Sequence, residues 1–286
     1  YAIPLEEGRD RKEWEKFLSL LARYRKHEAL NGLVVTIAAD KLLRAPEEEI
    51  IEDGRNIRQR IDELMRVIGI KFPVYVLVTK CDLVRGMTDF CNNLPEHRLS
   101  QVMGYLNRGL TNDVAQVSDN LFSSVIGTLR RLRLLLFGAG TAGDRSGTTS
   151  GPELLLFPNE FGHVEKNLRR FVETAFKANP YQETPLLRGL YFSSGKQEGT
   201  PYSHFLKELG LLKQQDVLPG TSRGLFLHDL FSKVMAADRN LYAPTRKALA
   251  WSRMTRNIGL VAWAALFLSL CGLLSFSFMK NLTTLR

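Results

Sequence analysis

A polar tetrad, Thr79-Lys80-Cys81-Asp82, follows directly on an unbroken apolar run of the chain. That run, Val74 to Val78, contains only β-branched, aromatic and aliphatic residues, which predicts a strand buried on both faces inside a parallel sheet. In open α/β sheets, ligands bind beyond the carboxyl ends of the strands. An ionised Asp82 is an acceptor only, so it suits a ligand that presents two parallel N–H donors.

The tetrad resembles the T/N-K-x-D element of P-loop GTPases. In that element the lysine stem covers one face of the guanine, and the aspartate accepts hydrogen bonds from the two N–H groups of the base. The alternative is that Lys80 and Asp82 simply begin a solvated loop between a strand and a helix, because short motifs often match by chance.

Composition excludes several other kinds of site. The net charge of +9 is compatible with nucleic acid, anionic lipid or a solvated surface, but aromatic and basic residues do not alternate as in a base-stacking platform, so we expect no nucleic acid. The scattered Cys81, Cys91 and Cys271 lack metal-ligand spacing, which predicts free thiols and no metal site. Because the first residue is Tyr1, not methionine, we expect a segment of a longer protein.

Residues 258–279 form an uncharged run of 22 residues. As a helix this run would rise about 33 Å, enough for a hydrocarbon core of about 30 Å, so we predict a transmembrane helix. The basic juxtamembrane linker, residues 241–257, carries four cations and no acid, whereas residues 280–286 carry two cations. By the positive-inside rule we expect residues 1–257 in the cytoplasm and residues 280–286 on the other side of the membrane.

The rest of the chain divides into three parts by pattern. Residues 1–88 alternate predicted helices (11–26 and 47–68) with predicted strands (33–39 and 71–78), which indicates parallel strands and an α/β fold. Residues 89–185 predict a mostly helical insertion, with helices at 98–110 and 112–137 and a flexible loop at 138–151. Residues 186–240 predict the last core strand, 186–194, and C-terminal helices.

The loop at 138–151 contains a false phosphate-binding motif. Gly138 and Gly143 have the spacing of the glycines in a phosphate loop, but the second glycine is followed by Asp144-Arg145-Ser146 and not by the Lys-Ser/Thr that the motif requires. No predicted strand leads into the motif, so we interpret it as a loop only.

The order of several segments resembles the IcmF family of secretion-system inner-membrane proteins. The segments are Leu30-Asn31-Gly32-Leu33, the Pro73 to Leu83 strand with its tetrad, Phe157-Pro158, Arg188-Gly-Leu-Tyr-Phe-Ser-Ser-Gly195 and Phe226-Leu227, followed by the apolar run. The resemblance implies a partial P-loop GTPase-like parallel sheet with a helical insertion, followed by a transmembrane helix. Residues 1–88 would be the second part of the GTPase-like core, and residues 280–286 would be the start of a periplasmic region.

The same resemblance assigns candidate nucleotide-binding residues. Thr79, Lys80 and Asp82 would read the base, and Ser193, Ser194 and Gly195 would form the second base-contacting loop. The phosphate loop, the Mg²⁺-binding switch and D-x-x-G are not in this segment, and phosphoryl transfer depends on them. We therefore expect no catalytic residue and no enzyme activity here, and GTP or ATP with Mg²⁺ only in the full-length protein.

The function that the resemblance implies is a scaffolding component of a bacterial type VI secretion membrane complex in the inner membrane. Its expected partners are a TssL/DotU-type inner-membrane protein, baseplate components, further copies of itself and, through a periplasmic region, a TssJ-type outer-membrane lipoprotein. Two alternatives stay open: a membrane-anchored GTPase or other NTPase that energises secretion, and the IcmF component of a type IVB system.

Overall fold

A computed structural model describes residues 9–24, 30–141, 152–179, 183–195, 197–208, 218–221, 224–239 and 241–284. The chain divides into two compact units, Tyr1–Ala243 and Pro244–Arg286. The helices are α1 (Arg9–Tyr24), α2 (Ala39–Arg44), α3 (Glu47–Ile68), α4 (Met87–Asn92), α5 (Glu96–Leu99), α6 (Val114–Thr141), α7 (Pro152–Gly162), α8 (Val164–Phe176), α9 (His204–Glu208), α10 (Met235–Ala237) and α11 (Arg246–Thr284). The strands are β1 (Leu33–Ala38), β2 (Ile70–Lys71), β3 (Pro73–Thr79), β4 (Met103–Leu106), β5 (Leu186–Phe192), β6 (Gln197–Gly199), β7 (Leu218–Thr221) and β8 (Ala243–Pro244).

A four-stranded sheet of order β1-β3-β5-β4 forms the centre of the first unit. The strands β1, β3 and β5 are parallel, with Val35 opposite Val76 and Val76 opposite Leu190. This confirms the parallel α/β arrangement predicted from the alternating pattern. The structure by itself leaves the finer likeness to a P-loop GTPase as a prediction.

Strand β3 is buried on both faces, as its composition predicts. Val74, Val76 and Val78 point into the large core shared with α3, α6, α7 and α8. Tyr75 and Leu77 point to the opposite face, where they meet Tyr191 and Leu230 in a second, smaller cluster. Leu230 begins a π-helical turn, Leu230–Val234, so part of the predicted C-terminal helix covers that second face.

The prediction of a helix at residues 98–110 was wrong, because β4 lies there and pairs antiparallel with the edge of β5. Gly104 permits this pairing. Its φ of 157° is a conformation that L side chains rarely adopt, and a Cβ there would lie 2.3 Å from the Leu190 carbonyl oxygen. The hydrogen bonds available at the open edge of β5 outweigh the weak helical periodicity of the segment.

Two long helices of the first unit, α3 and α6, lie where the sequence predicts helices. Helix α3 ends at Gly69, which takes the left-handed conformation (φ 76°) and donates its N–H to the Met65 carbonyl, as predicted for a C-cap. Helix α6 continues to Thr141, four residues into the predicted loop at 138–151. The remainder of that loop, 142–151, lies outside the described residues.

Helix α11 makes up most of the second unit. Its stretch Leu249–Leu282 is long and apolar enough to cross a membrane, and the most apolar window in it has no residue buried by protein. A single such helix satisfies a criterion of length and composition only. The predicted span, residues 258–279, lies inside this helix.

Candidate functional site

The loop that follows β3 carries the first three candidate residues. Lys80 adopts a left-handed backbone (φ 55°), and Cys81–Leu83 forms a single 3₁₀ turn. As a result, Lys80 is exposed to solvent while Asp82 is turned inward and only 1% exposed. Thr79 is half-buried, and its Oγ1 lies 3.5 Å from the Ile37 carbonyl oxygen that it faces.

The loop that follows β5 packs directly against this turn. The Ser193 N–H donates to the Val78 carbonyl at 2.8 Å, and the Cys81 N–H donates to the Ser193 carbonyl at 3.1 Å. Ser193 and Ser194 are buried, whereas Gly195 is exposed. Because both loops leave the carboxyl ends of neighbouring parallel strands, they meet at one edge of the sheet.

A direct side-chain bond joins the two loops. The Ser194 hydroxyl donates to Asp82 Oδ1 over 2.5 Å, and both side chains are buried. The other carboxylate oxygen, Oδ2, is also buried and has no hydrogen-bond partner among the described residues. Leaving such an acceptor unsatisfied costs about 1–3 kcal/mol, so one oxygen of Asp82 is held in place while the other stays unsatisfied in this conformation.

The thiol inside the tetrad has no reactive character. Burial raises the pKa of Cys81, which is fully buried, and its Sγ contacts the Val78 carbonyl oxygen. A thiol kept protonated is a poor nucleophile and a poor metal ligand. Among the described residues, no group of His, Cys, Asp and Glu could hold a metal ion.

The structure therefore brings together all six residues that the sequence proposes, Thr79, Lys80, Asp82, Ser193, Ser194 and Gly195. A role for them in binding a nucleotide base stays a prediction. In the observed conformation the Asp82 carboxylate is closed to solvent. Reading a base would require the loops to move until Asp82 faces outward.

A second polar site, which sequence reasoning missed, lies on the face of strands β3 and β5 that carries Tyr75. Arg188 in β5 donates two hydrogen bonds to Asp238, from Nε at 2.7 Å and from a terminal nitrogen at 2.8 Å. Its other terminal nitrogen donates to the Asn107 carbonyl at 2.6 Å, and the Tyr75 hydroxyl donates to Asp238 at 2.8 Å. The signal in the sequence was Arg188 inside an otherwise apolar strand, because a buried charge requires a partner of opposite charge.

The electrostatics of this cluster favour a charged Asp238. Burial raises its pKa, but hydrogen bonds from Arg188 and Tyr75 outweigh burial, so the pKa lies below the ordinary aspartate value. Burial and the hydrogen bond to Asp238 raise the pKa of Tyr75, which stays protonated. The cluster fixes the segment that precedes the second unit onto strands β3 and β5.

A buried carboxylate organises the connection after β6. Glu160 in α7 is 2% exposed and accepts hydrogen bonds from Ser203 Oγ at 2.7 Å, the His204 N–H at 2.8 Å and the Phe205 N–H at 3.0 Å. These donors lie at the start of α9, where backbone N–H groups lack partners within the helix. Glu160 is thus a structural cap and not a free acid.

A cavity of about 640 Å³ lies away from both loops, between the α2–α3 connection, α8 and α9. The lysine and arginine side chains that line this cavity already form ion pairs. Arg169 is bonded to Glu165 and Asp119, and Lys166 to Glu47. We assign no function to this cavity.

Comparison with known proteins places the chain in a family. A family model described as the IcmF-related N-terminal domain matches residues 7–263. The type VI secretion system component TssM1 of Pseudomonas aeruginosa is 32% identical over 243 residues, which covers 83% of this chain but only 22% of that protein. The chain thus spans about a fifth of the length of this curated relative, and no solved structure gives a significant match. The chain belongs to the IcmF-related family and is a TssM-like member of it.

Proposed function

We propose that the chain is part of a scaffolding component of a bacterial type VI secretion membrane complex. The observation that carries this proposal is the closed state of the two candidate loops. Asp82 is buried and bonded to Ser194, so two of the residues that would read a base instead join the two loops to each other. The similarity to TssM1 supports the type VI system over a type IVB system.

The proposed location is the bacterial inner membrane, with residues 1–257 in the cytoplasm and the C-terminus in the periplasm. The candidate span in α11 supports this location. The sequence supports the orientation, because Arg246, Lys247, Arg253 and Arg256 precede the span while Lys280 and Arg286 follow it.

The partners that fit this proposal are a TssL/DotU-like inner-membrane protein, baseplate components and other copies of the chain. A TssJ-like lipoprotein would bind through the periplasmic region of the whole protein. The edge of β1 supports binding of a partner by strand addition, because β1 pairs only with β3 among the described strands. Unpaired edges of this kind readily accept a further strand.

A second candidate function, nucleotide binding with or without hydrolysis, is favoured by one observation. The buried Oδ2 of Asp82 lacks a partner in the described part of the chain, and a guanine N–H would satisfy it. Under this alternative, Asp82→Ala weakens guanine-nucleotide binding by about 1–3 kcal/mol, the range for hydrogen bonds to a charged group.

Co-isolation from native membranes tests the scaffolding proposal. With an affinity tag added to the natural gene, we expect gentle detergent extraction to recover inner-membrane and lipoprotein components of a type VI complex. A single-span inner-membrane protein with the same tag serves as the control for non-specific recovery. Normal amounts of tagged protein without any of these components, or with type IVB components instead, would contradict the proposal.

A further inference from the structure

The exposed face of α6 changes character along the helix. Toward its start this face carries small or polar residues such as Ser123 and Gly127. Its last described turns instead expose Arg130, Arg131, Leu134 and Leu135, and the two leucines are 68% and 62% exposed. The opposite face, which includes Val125 and Leu129, is buried in the core.

A neighbouring helix extends this exposed area. Arg133 donates a hydrogen bond to the Leu155 carbonyl at 2.9 Å, which ties the end of α6 to α7. The Leu155 side chain is 40% exposed. We call the surface formed by Arg130, Arg131, Leu134, Leu135 and Leu155 the α6 patch.

The charge of the α6 patch has one sign. The sequence contains no acidic residue from Asn120 to Thr141. Arg130 and Arg131 are exposed, and no ion pair joins either of them to a described residue. Exposed leucines beside unpaired arginines match the surface of an anionic bilayer, where leucines contact acyl chains and arginines contact headgroups.

We propose that the α6 patch docks on the surface of an anionic lipid bilayer, with Leu134 and Leu135 inserted at the headgroup boundary and Arg130 and Arg131 on lipid phosphates. The chain would itself be attached to a bilayer, because α11 is long and apolar enough to cross one. This inference rests on the inner-membrane location proposed above.

Fluorescence of the whole chain in lipid nanodiscs tests the docking. An environment-sensitive dye is attached at Leu134→Cys in a Cys271→Ser background, since Cys81 and Cys91 are buried and should not react. Ser123→Cys, an exposed position nearer the start of α6, is the matched control. The nanodiscs contain either phosphatidylcholine alone or one part phosphatidylglycerol to three parts phosphatidylcholine.

We expect blue-shifted emission at position 134, and quenching by a lipid-borne quencher, only in the discs with phosphatidylglycerol. Position 123 should show neither effect. Arg130→Gln with Arg131→Gln should lower the docked population relative to the free one by roughly thirtyfold, because each arginine is attracted separately to the anionic surface.

Several outcomes would overturn the proposal. Emission that is the same in both lipid compositions, or equal shifts at positions 134 and 123, would show that the patch does not dock on anionic lipid. A shift that appears only after a second protein is added would make the patch a protein interface. Failure of the chain to co-elute with nanodiscs would refute the membrane location as well, whereas co-elution without a shift would refute the docking alone.

Discussion

Replacing Arg188 with alanine is expected to destabilise the α/β unit by about 3–5 kcal/mol, the usual effect of removing one partner from a buried ion pair. The side chains of Arg188 and Asp238 are 12% and 9% exposed. The substitution would leave the Asp238 carboxylate with Tyr75 as its remaining partner in the cluster. The Asn107 carbonyl would lose the hydrogen bond that it accepts from Arg188. Urea-induced unfolding of the chain in nanodiscs, followed by circular dichroism, measures the loss.

Arg170→Ala is the matched control for this substitution. Arg170 also pairs with acids, Glu47 and Glu173, but its side chain is 51% exposed, so we expect a loss below about 1 kcal/mol. Replacing both partners of the buried pair, Arg188→Met with Asp238→Leu, should recover part of the loss, because no buried charge is left alone. Equal losses for Arg188→Ala and Arg170→Ala would contradict the importance given to the buried pair.

The pH dependence of this pair has a defined sign. The pKa of Asp238 is lower in the folded protein than the ordinary aspartate value, although burial alone would raise it. A lowered folded pKa stabilises the protein above the unfolded pKa of about 3.9, and this contribution is lost as the pH falls through the folded value. The difference in stability between the parent chain and Arg188→Ala should therefore be largest near neutral pH and shrink in strong acid.

Phe161→Ala is expected to cost about 3–5 kcal/mol in the free energy of unfolding. Phe161 is fully buried, and its ring centroid lies 4.7 Å from that of Phe192 in an edge-on arrangement and 5.8 Å from that of Phe157. The alanine would leave a cavity between α7 and the end of β5. The same urea titration measures the change.

Phe205→Ala controls for the loss of an aromatic ring as such. The Phe205 side chain is 46% exposed, so we expect a change within about 0.5 kcal/mol, as for most surface positions. Phe161→Leu, which retains much of the apolar volume, should cost less than Phe161→Ala. A loss at Phe161 as small as the one expected at Phe205 would show that the core between α7 and β5 is not tightly packed.

The parts of the fold that could be predicted are those with a strong local pattern. The run from Val74 to Val78 and the strand that begins at Leu186 were recognisable as buried parallel strands. Since parallel strands end at the same edge of a sheet, the meeting of the tetrad with Ser193-Ser194-Gly195 followed from the fold. Gly69 marked the end of α3 because a left-handed cap favours glycine.

The parts that could not be predicted depend on contacts distant in sequence. Strand β4 has a weak pattern of its own and forms because the edge of β5 offers hydrogen bonds. Arg188 and Asp238 are separated by 50 residues, and no local rule pairs them. The closure of Asp82 by Ser194 depends on side-chain packing across two loops, which neither motif encodes.

The most direct test of the scaffolding role is Asp82→Asn, introduced into the natural gene. Asparagine keeps the size of the side chain and an oxygen that accepts from Ser194, but its NH₂ group cannot accept the second hydrogen bond that a guanine requires. We predict that type VI secretion and the recovery of the membrane complex stay at the parent level. Loss of secretion while the variant accumulates and folds normally would contradict the scaffolding account and favour the nucleotide-binding alternative.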